Sequence, residues 1–235
     1  MLLKGSIFMA ETDRNFLKEP ARLAVLISNK GTGSNLQAIT DAIDRKEILC
    51  SIEIVVSDKS NTQGLDRAKK HHIPWEVMIL QNYKQQTARD KYGIELSQLL
   101  NGRAVEIAIL AGFSTILAPT YFESFQGITI NVHPGLFPDR KDEPFLFPDG
   151  TVAPWNRGLM TDDAVKNFLG LKYAGSTIHV VTEEADFGPV LKRVIVDVKP
   201  GDTVDTLYNE RLKPAENRGF IEVLKNPFIK RLIGV

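Results

Sequence analysis

Residues 22–39 read RLAVLISNKGTGSNLQAI, and this stretch decides the fold. Its first seven residues form a nearly continuous apolar run, the pattern of a short strand buried on both faces of a parallel sheet. A glycine-rich turn follows, and Leu36, Ile39 and Ile43 then recur at helical spacing. Gly31 and Gly33 permit close backbone approach, while Ser34 and Asn35 add short polar groups where the first helical amides lack partners. The loop suits a phosphate or another anion, although a plain strand-to-helix turn would read the same way. It lacks the third glycine of the dinucleotide fingerprint and the Gly-Lys-Ser/Thr of a nucleotide-triphosphate loop.

The alternation continues outward. Strand patterns at 52–57, 75–79, 105–111 and 128–132 are separated by helical patterns at 64–71 and 87–100. Such order predicts right-handed βαβ units and an α/β fold, with an open, mostly parallel Rossmann-like sheet carrying helices on both faces. The pattern breaks at 137–157, where Pro138, Pro144, Pro148 and Pro154 interrupt acidic and aromatic residues, and a long irregular loop is expected. Beyond it, a helix at 161–169 capped by Thr161 and strands at 176–182 and 190–198 are expected. Those strands form a mixed or antiparallel C-terminal edge, and a terminal helix at 203–224 is opened by Asp202 or Thr203.

Bulk composition narrows the function classes. The 235 residues suffice for one large α/β domain, and no shift in composition argues for two. Lys plus Arg and Asp plus Glu both total 29, so no whole-chain field steers the protein toward nucleic acid or membrane. The single cysteine, Cys50, excludes an internal disulfide and a cysteine-rich metal site. Residues 1–20 lack the sustained apolar stretch of a secretory signal and are expected to form a loosely ordered arm on a cytoplasmic protein.

Chemistry-bearing residues concentrate late in the chain. In Asn131-Val132-His133-Pro134, alternation puts Asn131 and His133 on one strand face, and the proline ends the strand just beyond them. An amide and an imidazole projecting together suit proton transfer beside a developing oxyanion; two polar residues capping backbone groups are the plainer alternative. Asp186, before the Gly188-Pro189 turn, can point a carboxylate inward; near His133 it would raise the imidazole pKa into the working range. An aspartate bonding its own turn is the alternative. His179 reads as a packed strand histidine, and His71 and His72 carry no assigned chemistry. The aromatic cluster Phe145-Leu146-Phe147, with Trp155, reads as loop anchors.

Together LISNKGTGSNLQAI (26–39), ILAGFSTILAP (109–119), INVHPGLFP (130–138), GSTIHVVTEEADFGPV (175–190) and DTVDTLYNERLKPAE (202–216) resemble the phosphoribosylglycinamide formyltransferases, folate-dependent enzymes of purine synthesis. The resemblance runs from about residue 22 to 220, with one insertion at 137–157 in a formyltransferase domain of 21–235. It implies formyl transfer from 10-formyltetrahydrofolate to the amine of glycinamide ribonucleotide, with no metal. By this resemblance Asn131 donates to the tetrahedral oxyanion, protonated His133 stabilises it and gives a proton to the departing folate nitrogen, and Asp186 holds the imidazolium. Gly33, Ser34 and Asn35 would take the substrate phosphate and Glu216 a ribose hydroxyl. Arg89 would stand near the folate, and Ser114, Thr115, Ile116 and Leu117 would line its pterin pocket. Arg89 and Glu216 read without the resemblance are solvated helix charges. The implied partners are these small molecules, without nucleic acid or membrane, and the chain is a monomer or homodimer.

The departures fall at the loops. Asn29 and Lys30 lengthen the phosphate loop, Ser114-Thr115 replaces a common Met-Arg, and Met160 stands where a histidine is frequent. The proline-rich insertion replaces a short loop edging the active site, which leaves open another amine acceptor such as an amino sugar nucleotide, water as acceptor, or a non-catalytic binding homologue.

Overall fold

The computed structural model describes residues 19–28, 33–226 and 229. The N-terminal arm through residue 18, and Asn29 to Thr32 of the glycine loop, lie outside the described residues.

One seven-stranded sheet organises the chain, in the order β3-β2-β1-β4-β5-β6-β7. β1 (Ala21–Ile27) pairs in parallel with β2 (Cys50–Ser57) on one side and β4 (Ile107–Ala111) on the other. β3 (Trp75–Val77) and β5 (Ile128–His133) extend the parallel part outward. β6 (Tyr173–Val180) and β7 (Val190–Asp197) are antiparallel, so the expected mixed C-terminal edge is present.

Alternation along β1 and β4 sends side chains to two cores. Leu23, Ile107 and Ile109 pack with Ile39 and Ala42 of α1 (Ser34–Asp44) and with Phe220 and Val223 of the terminal helix. Ala24, Leu26, Ala108 and Leu110 face Leu96 and Leu100 of α3 (Gln86–Asn101) and Tyr121 of α4 (Pro119–Ser124). α2 (Gln63–Lys70), capped by the Thr62 side chain, covers Val25 and Val55 through Leu65 and Ala68. Helices therefore sit on both faces, and between the parallel neighbours β1 and β4 the order of strand addition across the sheet reverses. In an open α/β sheet that reversal opens a crevice at the carboxyl ends of the strands.

Several local expectations are corrected. Thr161 does not cap α5 (Thr161–Lys166): Met160 is the extended N-cap residue, and Thr161 is already helical. The helix ends at Lys166 rather than Leu169, as the chain turns toward Gly170 at φ 88°. Thr203 opens the terminal helix, its hydroxyl accepting the Thr206 N–H at 3.2 Å. That helix is not uniform, for α6 (Val204–Thr206) passes through a π-helical stretch, Leu207–Leu212, into α7 (Lys213–Lys225). Pro214 lacks an N–H and its ring crowds the carbonyl four residues earlier, which a widened turn relieves.

The proline-rich insertion is the expected long loop without helix or strand, but it is packed rather than loose. Residues 146 and 152 pair as an antiparallel bridge, and Phe147 and Ala153 are buried with Leu136, Val165, Phe168 and Leu212 in a core of their own. Leu146, expected to anchor the loop, is 52% exposed; bridge geometry turns it outward while Phe147 turns in.

Candidate active site

β5 ends at His133, and the parity of the strand brings Asn131 to the same face. Asn131 is half-buried, and no described residue hydrogen-bonds its amide side chain. His133 is only 5% exposed. Its Nδ1 lies 3.6 Å from Asp186 Oδ2, and its Nε2 lies 2.8 Å from the carbonyl oxygen of Asn156. A carbonyl only accepts, so Nε2–H is the donor in that bond.

Asp186 reaches this position through the turn between β6 and β7, with φ at 49°, a left-handed conformation that aspartate tolerates. Its Oδ2 accepts the Gly158 N–H at 2.8 Å, and its backbone carbonyl accepts the Trp155 indole N–H at 2.9 Å. The same turn is clamped from outside: Arg157 donates to Glu184 at 2.7 Å and to the Ala185 carbonyl at 3.0 Å, and Lys141 pairs with Glu184 at 2.6 Å. The insertion therefore forms one wall of the site. Gly135 marks how closely it lies, because a side chain there would collide with the Trp155 carbonyl. Trp155 is thus a wall residue bonded to the Asp186 turn, beyond the packing anchor expected of it.

The electrostatics reverse one expectation. Burial pushes the His133 imidazole below its ordinary value; Asp186 first, then the Asn156 and Trp155 carbonyls, oppose that shift without cancelling it. The resting imidazole is therefore neutral near pH 7, not the raised, protonated group expected from a neighbouring carboxylate. His179, its ring tilted at 51° to that of Phe137 with centroids 4.6 Å apart, is driven to about 4, chiefly by burial. Its Nδ1–H donates to the Val180 carbonyl at 2.9 Å, in keeping with a packed histidine.

No hydrogen bond or ion pair among the described residues joins the other candidates to these three. Gly33, at φ 70°, is the N-cap residue of α1, and Ser34 and Asn35 begin the helix. Asn35 Oδ1 is buried without a hydrogen-bond partner. Arg67, which no motif singled out, flanks this turn: a methyl group on Gly33 would meet Gly64 Cα at 2.9 Å and Arg67 Cδ at 3.1 Å. Ser114 and Thr115 hydroxyls donate to Asp58 Oδ2 at 2.8 and 2.9 Å, and Ser114 also bonds Ser28 at 2.9 Å. Asp58, likewise unforeseen, is buried and ties together the ends of β1, β2 and β4. Ile116 is 84% exposed and Leu117 half-buried.

Arg89 and Glu216 are engaged elsewhere. Arg89 bonds the Tyr83 carbonyl at 3.3 Å and the Gln86 side chain, both in the approach to its own helix. Glu216 is not a solvated charge: it is 1% exposed and accepts the Ser176 hydroxyl at 2.6 Å. Burial pushes its carboxyl up to about 7, with the Ser176 hydrogen bond opposing. Among the described residues no group of three or more His, Cys, Asp or Glu could hold a metal ion, and no helix is long and apolar enough to cross a membrane.

A neutral imidazole flanked by a carboxylate and an unengaged amide, at the carboxyl end of a parallel strand, is equipped to shuttle a proton beside a developing oxyanion. Residues 21–224 match the formyl transferase family model. The chain belongs to the formyl transferase family. It is 34% identical over 213 residues to a phosphoribosylglycinamide formyltransferase of Dictyostelium discoideum, covering 86% of this chain and 96% of that one. It is 37% identical over 228 residues to the trifunctional purine biosynthetic protein adenosine-3 of Bos taurus, covering 96% of this chain. The chain spans only about a fifth (20%) of that relative's length. Among solved structures, glycinamide ribonucleotide transformylase 1 from Symbiobacterium toebii superposes with a TM-score of 0.72 at 29% identity, covering 90% of this chain and 89% of that one. The formyl transferase fold, with its mostly parallel sheet and antiparallel edge, is thus the fold of this chain.

Proposed function

We propose that this chain transfers a formyl group from 10-formyltetrahydrofolate to the amine of glycinamide ribonucleotide, in purine synthesis. The observation that carries the reading is the buried approach of His133 Nδ1 to Asp186 Oδ2, 3.6 Å, with Asn131 two residues away on the same strand face. The amine nitrogen attacks the formyl carbon, and the carbonyl oxygen becomes an oxyanion that accepts a hydrogen bond from the Asn131 amide. His133, neutral at rest, takes the proton released by the attacking nitrogen. Asp186 stabilises the imidazolium so formed. The bond from carbon to the folate nitrogen then breaks, and His133 returns its proton to that nitrogen. Charge is balanced at each step, and no metal enters.

Gly33, Ser34 and Asn35 take the substrate phosphate at the amino end of α1, where unpaired amides and the helix dipole favour an anion. The exposed Ile116 and half-buried Leu117 lie against the pterin, Arg89 turns toward the folate tail, and Glu216 meets a ribose hydroxyl after leaving Ser176.

The test is formyl transfer by purified protein from labelled 10-formyltetrahydrofolate, with glycinamide ribonucleotide, an amino sugar nucleotide and water competing as acceptors. Preferential labelling of glycinamide ribonucleotide supports the reading. Preferential transfer to another acceptor, or folate binding without turnover, overturns it.

A further inference from the structure

Asn156 belongs to the proline-rich insertion, has no part in any motif, and is among the most tightly held polar residues in the structure. It is buried and left-handed, with φ at 59°. Its side-chain Nδ2 donates to the Pro134 carbonyl and to the Ala164 carbonyl, both at 2.9 Å, and its Oδ1 accepts from Asn167 Nδ2 at 2.8 Å. Three hydrogen bonds, one to the turn after β5 and two to α5 and its C-cap residue, thus fix one residue. What they aim is its backbone carbonyl, 2.8 Å from His133 Nε2.

We infer that Asn156 is a positioning residue: its carbonyl keeps one proton on His133 Nε2 and so makes Nδ1 the nitrogen that exchanges a proton with the substrates. The argument is one of valence. A neutral imidazole carries a single N–H, and a carbonyl oxygen has only lone pairs to offer. While the bond to Asn156 stands, the proton must sit on Nε2 and the Nδ1 lone pair must face the Asp186 side. On accepting a proton, Nδ1–H turns toward Asp186 Oδ2 at 3.6 Å, which stabilises the charged form. The opposite tautomer would set the Nε2 lone pair against the Asn156 oxygen and leave no basic nitrogen toward Asp186. Asn156 thereby acts on the chemistry through His133. The inference about which nitrogen exchanges the proton rests on the proposed formyl transfer; the tautomer does not.

Nitrogen NMR of histidine-labelled protein, titrated above the pKa of His133, reads the tautomer directly and without substrate. The result expected is an Nε2–H tautomer in the wild type and a mixture in Asn156→Gly, which keeps the left-handed backbone but deletes the side-chain anchors. In the same variant kcat falls by about 10²-fold, the lower end of what a positioned acid–base group contributes, while KM changes little. Should Asn156→Gly fail to fold, Asn167→Ala removes only the outermost anchor and is expected to move the same signals less. Wild-type protein with its neutral proton on Nδ1 would overturn the inference, as would a folded Asn156→Gly with unchanged tautomer and kcat. An Nε2–H tautomer in an enzyme that transfers no formyl group would sink the proposed function and leave the positioning role intact.

Discussion

The Trp155 indole N–H donates to the backbone carbonyl of Asp186 at 2.9 Å, joining the proline-rich insertion to the turn that carries the carboxylate facing His133. The insertion thus holds in place a turn that carries one member of the proposed reaction centre. Trp155→Phe keeps an aromatic ring beside Phe187 but loses the donor. The expected outcome is a fall of about 3- to 10-fold in kcat/KM, the scale of one neutral hydrogen bond, with little change in melting temperature. Steady-state kinetics with varied folate check it.

Asp186→Asn keeps an oxygen for the Gly158 N–H while removing the charge. Asp186 is the chief influence raising the His133 pKa against burial, so its loss lowers that pKa further. The proposed reaction begins with neutral His133, so activity is expected to fall as pH drops through that pKa. The acid limb of kcat/KM should move to lower pH in the variant. At the plateau kcat should fall by about 10²- to 10³-fold, because the imidazolium formed during transfer has lost its partner. A limb that stays put or moves upward would contradict the pairing.

Glu216 offers a stability prediction independent of catalysis. Its folded pKa of about 7 lies above the ordinary 4.5. Below pH 4.5 it is protonated whether folded or unfolded, and its ionisation does not oppose folding. Between 4.5 and 7 the unfolded chain gives up the proton first, so stability is progressively lost as pH rises. Glu216→Gln removes this dependence and should gain about 1–3 kcal/mol on the wild type between pH 4.5 and pH 8. Urea midpoints at the two pH values measure it; parallel curves would show that burial leaves the carboxyl untouched.

Gly33→Ala combines an unfavourable left-handed backbone with a methyl group 2.9 Å from Gly64 Cα. Destabilisation of about 1–3 kcal/mol is expected, together with a higher KM for the phosphorylated acceptor and an unchanged KM for folate. Equal effects on both KM values would mean that the turn does not bind the phosphate.

The frame of this site was legible in the sequence because it rests on local periodicity. Apolar residues 22–28, the glycines after them and the alternation of Asn131 with His133 each follow from neighbours a few positions away. Asp58 escapes a reading of the sequence because its partners Ser114 and Thr115, and Ser28 bonded in turn to Ser114, meet only once three strands have been laid side by side. Asn156 escapes for a different reason: it acts through a backbone carbonyl, which every residue possesses. The sequence points to a raised His133 pKa where the structure lowers it, because a neighbouring carboxylate is visible in a sequence and depth of burial is not. Thr161 looked like a cap by residue type, but the extended residue that ends the loop is Met160.

The central claim is that Asn131, His133 and Asp186 form one formyl-transfer centre with His133 as the proton carrier. The most direct measurement is the single-turnover rate of formyl transfer to glycinamide ribonucleotide by His133→Ala relative to wild type, at equal folded fraction. The account predicts a loss of about 10³-fold or more with folate binding retained. Transfer by the variant within a few-fold of wild type would contradict it.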